Sequence, residues 1–145
     1  MKQSVRDSLN MSGHPLIQLE LMGNTYWFVV DTGSNVNLIS SDLEKELSKG
    51  IESIGYISTS GVGGQTEEGA VFLLSYSIDG NQFTDQFSVV DTSTFMVFDE
   101  YGVKVSGLLG TSFLLFHRCI LDFSDGMVYL NGNNDEVRSE MRNNL

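Results

Sequence analysis

Polar and apolar residues alternate with period two along much of the chain, as in strands with one buried face. Residues 15–21 alternate loosely, and Gly23-Asn24 breaks the run as a turn. Residues 26–30 form a dense aromatic and β-branched block that predicts a buried strand. Apolar character resumes over 36–39, and a further strand is expected over 51–60. Two more strands, over 70–78 and 82–90, flank Asp79-Gly80, a pair suited to the positive φ angles of a hairpin turn. A last pair, over 119–123 and 127–130, surrounds Ser124-Asp125-Gly126. Helical signals are few. Ser41 with Glu44 three residues later has the capping-box form and predicts a short helix over 42–48, closed by Gly50. A second short helix is expected over 111–117. Residues 91–104 read as an irregular loop, and 133–145 as a frayed polar tail or short helix. Many short strands and little helix indicate an all-β domain.

The length of 145 residues suits one domain, and 41% hydrophobic residues suffice for a core. The expected division is an N-terminal extension over 1–13, the domain over 14–131 and a polar tail over 132–145. Nineteen acidic residues against eight basic ones give a formal charge of −11. That balance argues against nucleic acid, whose phosphates are met by Lys and Arg, and against anionic membranes. The apolar block at 26–30 is too short to span a bilayer. No targeting segment is visible at the start, so a complete chain would be cytoplasmic or periplasmic. Cys119 lies in an apolar run and reads as a small core residue. One Cys with His14 and His117 gives no metal-ligand spacing, so no metal is expected.

Chemistry concentrates at Asp31-Thr32-Gly33-Ser34. The acid ends the apolar strand, which fixes its position. Gly33 lets the chain turn and lets another backbone approach. Thr32 and Ser34 carry hydroxyls able to orient a carboxylate. Alone, the tetrapeptide also suits an ordinary turn after a strand. A second element, Leu108-Leu109-Gly110, sets two apolar residues and a glycine before the predicted helix. Gly61-Val62-Gly63-Gly64 lacks the Lys and following helix of a phosphate loop, and Glu67-Glu68 would repel phosphate. It reads as a hairpin tip. Val89-Val90-Asp91-Thr92 repeats 29–32, but Ser93 replaces the glycine, so Asp91 reads as a strand-end residue. His117 reads as a cation at a helix end.

Asp31-Thr32-Gly33-Ser34 and Leu108-Leu109-Gly110 together resemble the motifs of the retropepsin-like aspartic proteases, over about residues 15–130. The resemblance implies a single-lobe acid-protease fold, a closed barrel with one or two short helices, and no organic cofactor. It implies that Asp31 is the catalytic acid within its motif and that Leu108, Leu109 and Gly110 pack beneath the active-site loop. Gly61, Val62, Gly63 and Gly64 would then tip a substrate-binding flap. Asp122, apart from the resemblance, reads as a structural residue bonding backbone near the loop. One departure is Ser112, where the family often has Asp or Asn. Such hydrolysis uses two carboxylates sharing one proton. A single Asp31 per chain therefore implies a homodimer acting on a peptide or protein substrate, with Thr32 bonding across to the partner's loop. The alternative is a catalytically silent peptide-binding or dimerisation module on the same fold.

Overall fold

The computed structural model describes residues 1–48, 52–60 and 66–130, the side chains of 52–60 and 66–70 excepted. The chain runs β1 (Lys2–Ser4), α1 (Arg6–Ser12), β2 (Leu16–Leu21), β3 (Asn24–Val30), β4 (Leu38–Ser40), α2 (Ser41–Leu47), β5 (Glu52–Ser60), β6 (Thr66–Ile78) and β7 (Asn81–Val90). A 3₁₀ helix (Thr92–Tyr101), β8 (Val105–Leu109), α3 (Thr111–Phe116), β9 (Ile120–Asp122) and β10 (Met127–Tyr129) follow.

Neighbouring strands run in the order β2-β3-β8-β4-β7-β6, and β6 meets β2 again at Ser77 and Glu20. Six strands thus close a barrel, which β5 extends by pairing with β6. The β6–β7 hairpin uses the Asp79-Gly80 turn that the sequence signals, whereas the β2–β3 turn falls one residue earlier than Gly23-Asn24, because Asn24 already belongs to β3. Met22 and Gly23 have φ of 49° and 83°, Asp79 and Gly80 of 50° and 80°. Two successive positive φ angles match the right-handed twist of the flanking strands. β1, β10 and β9 form a separate small sheet, so residues 1–13, set apart as an extension, carry a strand and a helix.

The alternation in β2, β3 and β8 sorts side chains to two faces. Ile17, Phe28, Val30 and Leu109 join the main core, with Phe87 and Phe113. Leu16, Val29, Val105 and Leu108 point the other way, onto Phe95 and Phe98. This second cluster corrects the reading of 91–104 as an irregular loop. Residues three apart eclipse in a 3₁₀ helix, so Phe95 and Phe98 fall on one side and cover the outer barrel wall. The helix is capped by Asp91, whose side chain accepts from the Ser93 amide, and ends at Gly102 with φ 73°.

The cap of α2 also differs by one residue. Ser40, not Ser41, accepts the Leu43 amide, at 3.1 Å. The Ser41 hydroxyl instead meets Thr92 Oγ1 at 3.0 Å, tying α2 to the start of the 3₁₀ helix. β6 starts at Thr66 rather than at 70. Gly50 and the tail over 132–145 lie outside the described residues.

Candidate active site

Asp31 directly follows β3, at the entrance to a loop that leads into β4. β8 lies between these two strands. It runs parallel to β3, with Val30 beside Leu109, and antiparallel to β4, with Leu38 beside Leu108. The loop over 31–37 therefore arches over the end of β8. The fit is close: a Cβ on Gly107 would stand 2.4 Å from the Phe28 ring and 2.5 Å from the Leu38 carbonyl. Only glycine leaves room there.

Backbone bonds hold the loop on both flanks. The Asp31 amide donates to the Leu109 carbonyl at 3.0 Å, and the Thr111 amide to the Ser34 carbonyl at 2.7 Å. The hydrophobic-hydrophobic-glycine segment thus carries the loop. At Gly110 a Cβ would lie 2.4 Å from the Val36 carbonyl oxygen and 2.7 Å from that of Ser34.

Asp31 is half-buried as a residue, and its Oδ1 accepts the Gly33 amide at 2.7 Å. A Cβ on Gly33 would already touch that oxygen, at 3.0 Å. Glycine here allows the tight approach of amide to carboxylate. The hydroxyls do not orient the acid as expected. Ser34 Oγ donates to the Val36 carbonyl at 2.8 Å and so braces the loop itself. Thr32 is exposed, and its side chain has no hydrogen-bond partner among the described residues.

Sequence reasoning missed one residue that matters here. Asn37 is 4% exposed, a polar side chain inside an apolar run. Its Oδ1 accepts the Gly110 amide at 2.9 Å, and its Nδ2 donates to the Gln86 carbonyl at 3.2 Å. One side chain thus joins the loop, the end of β8 and β7. The available signal was its polarity between Val36 and Leu38, because a buried amide at such a position needs partners. Ser112 and Asn37 line one recess of about 380 Å³ beside the loop.

Other sequence-read residues lie elsewhere. Asp91 stands beyond the Ser40–Val90 pair, at the opposite end of β4 from the Asp31 loop. The Ser93 hydroxyl and amide hold its carboxyl below the usual range. Asp122 does not reach the Asp31 loop. Its Oδ1 accepts the Ser124 amide at 3.0 Å and hydroxyl at 2.7 Å, and the Asp125 amide at 3.2 Å, all within the β9–β10 turn. The Ser124 hydroxyl and the Asp125 amide lower its pKa. His117 ends α3, with Nε2 2.8 Å from Asp85 Oδ2. Cys119 is half-buried against the core; burial, then the Asp85 charge, push its thiol up to about 12. Gly61, Val62, Gly63 and Gly64 lie outside the described residues. Among the described residues, no cluster of His, Cys, Asp or Glu is placed to hold a metal ion.

A closed six-strand barrel, with an Asp-Thr-Gly loop carried on a hydrophobic-hydrophobic-glycine strand, defines a single-lobe, retropepsin-like acid-protease fold. The aspartyl protease family profile matches residues 17–113, and the chain belongs to that family. Solved structures share the fold. A retropepsin-like aspartic protease from Rickettsia conorii superposes with a TM-score of 0.53 at 18% identity, covering 90% of this chain and 88% of that one. The retroviral protease-like domain of Ddi1 from Leishmania major gives 0.53 at 12% identity, covering 82% and 87%. The EIAV protease, complexed with the inhibitor HBY-793, gives 0.55 at 17% identity, covering 74% and 90%. No curated protein matches the sequence.

Proposed function

We propose that the protein is an aspartic endopeptidase whose active unit is a homodimer, with one Asp31 contributed by each chain across a twofold axis. The observation that carries this reading is the held loop around the carboxylate. Asp31 ends a core strand with Oδ1 fixed by the Gly33 amide, and the loop is bonded on both flanks to Leu109 and Thr111. Asp91 and Asp122 make the same carboxylate-to-amide bond two residues on as ordinary caps and turns, so the support for the reading is the bonding of the Asp31 loop to β8 and α3 on both flanks.

The chemistry follows from two such carboxylates side by side. Like charges a few ångströms apart do not both ionise cheaply, so the pair shares one proton and titrates as a unit. The ionised member takes a proton from water as the oxygen attacks the scissile carbonyl carbon. The protonated member hydrogen-bonds the carbonyl oxygen and gives it its proton. The tetrahedral diol then collapses: the C–N bond breaks, the leaving nitrogen receives a proton from the dyad, and a diol hydroxyl returns its proton to the dyad as the C=O bond re-forms. The reaction consumes one water and needs no cofactor. The exposed Thr32 hydroxyl is free to bond to the partner's loop. An extended peptide would lie between the subunits as an added strand, its side chains entering pockets, beneath flaps tipped by Gly61, Val62, Gly63 and Gly64.

The test is cleavage of a diverse peptide library between pH ~3 and ~7, a range that brackets coupled carboxylate pairs, with Asp31→Asn beside wild type. Bell-shaped cleavage that Asp31→Asn abolishes supports the reading. Peptide binding without cleavage at any pH, equal in both proteins, would instead identify a silent binding module.

A further inference from the structure

A second polar cluster lies outside the proposed catalytic loop. Asp85 Oδ2, on β7, accepts the Tyr76 hydroxyl of β6 at 2.6 Å and lies 2.8 Å from His117 Nε2. The side chains of His117 and Asp85 are each 10% exposed, and Tyr76 is 2% exposed. A carboxylate so withdrawn from water needs its donors, because an unpaired buried charge is costly. Burial and the neighbouring carboxylate push the Tyr76 hydroxyl far above its ordinary range, so it stays a donor. The His117 ring is wedged between aromatic rings, with centroids 4.9 Å from Phe83, 4.7 Å from Phe113 and 5.0 Å from Phe116.

The position of this cluster gives it a role. α3 is six residues long. At its start, the Gly110 amide bonds to Asn37 Oδ1 and the Thr111 amide to the Ser34 carbonyl. At its end, the chain turns at Arg118 with φ 53°, and the Cys119 amide returns to the Leu114 carbonyl. Asn37 Nδ2 reaches the Gln86 carbonyl, next along the chain from Asp85. A closed circuit results: Asn37 to Gly110, along α3 to His117, across to Asp85, and through Gln86 back to Asn37. The active-site loop is one link of that circuit. A helix this short has little rigidity of its own, so its far end must be pinned for its near end to stay in register.

We propose that Asp85, with His117 and Tyr76, is a positioning device that pins α3 to the β6–β7 hairpin and so fixes the height of the Asp31 loop. In this role all three act through α3 and the loop, although Asp85 also lines the recess beside the loop. The consequence for catalysis rests on the protease reading above; the mechanical part does not.

Amide hydrogen exchange by NMR on the full chain tests it, comparing wild type with His117→Phe and His117→Gln. Phe keeps a ring between Phe83 and Phe113 but has no donor. Gln places a donor N–H close to where His carries Nε2. The expected result is exchange at least tenfold faster at the Gly110 and Thr111 amides in H117F, unchanged exchange in β2 and β3, and restoration in H117Q. In parallel, H117F should lower kcat about tenfold with KM little changed, and H117Q should recover it. Unchanged exchange at Gly110 and Thr111 in folded H117F overturns the proposal, as does equal loosening in H117Q. Should H117F not fold, Tyr76→Phe is read at the same amides, where a smaller rise is expected and no rise contradicts. Faster exchange in a protein that cleaves no peptide would sink the protease reading alone.

Discussion

At the scale of single residues, the structure turns on a few polar groups held inside apolar surroundings. Asn37 satisfies a buried amide and a carbonyl with one side chain. Replacing it with Leu keeps the branched shape, with somewhat more bulk, and orphans both partners. An unpaired buried group costs about 1–3 kcal/mol, and the Gln86 carbonyl, only partly buried, adds less, so Asn37→Leu should lower stability by about 2–4 kcal/mol, read from urea unfolding with an unchanged m-value. A loss within ~0.5 kcal/mol, the usual range for uninvolved surface sites, would contradict this role. Cys119 gives a second residue-scale prediction. Its thiol titrates near 12 when folded, against 9.0 ordinarily. At pH ~8 the folded protein should react with a thiol reagent far more slowly than the unfolded protein does, because the thiolate is the nucleophile. As pH rises through the window between these two values, the unfolded thiol loses its proton first. Stability should therefore fall with rising pH there.

At the scale of elements, strand positions and hairpin turns were legible, the β2–β3 turn to within a residue, because period two, the Asp-Gly pair and the glycine at 23 act locally. The 3₁₀ helix was not. Its signal is two phenylalanines three apart, and their burial depends on the barrel wall formed by β2, β3 and β8, which a local pattern does not reveal. The α2 cap slipped by a residue because Ser40 and Ser41 both suit the position, and Thr92, fifty-one residues away from Ser41, takes the second hydroxyl. Gly110 carries the element-scale prediction. Its absent Cβ leaves room for two backbone carbonyls, and backbone does not step aside as a side chain would. Gly110→Ala should cost about 3 kcal/mol, at the upper end of overpacking penalties. Gly80→Ala should cost about 1–2 kcal/mol, since its φ of 80° is strained for alanine but nothing stands within 4 Å of the new methyl. Calorimetric melting of both variants ranks them; the reverse order would refute the bracing by β8.

At the scale of the whole molecule, period two identifies strands without choosing their partners. The parallel pairs β3–β8 and β4–β7 join segments far apart in sequence. Family resemblance, not periodicity, gave the barrel and the place of Leu108-Leu109-Gly110 beneath the loop. Asp31 and its glycine were legible from the motif. The aim of Ser34, the work of Asn37 and the Asp85 cluster were not, because each depends on a partner contributed by a distant element. What one chain holds is one braced carboxylate, and the proposed chemistry needs two. The most direct test mixes wild-type and Asp31→Asn chains in varying ratio at fixed total concentration, after exchange of subunits, and measures the rate of peptide cleavage. If each active unit needs Asp31 from both chains, the rate should fall as the square of the wild-type fraction. A rate falling in direct proportion to that fraction would mean that a single chain acts alone, and would contradict the account.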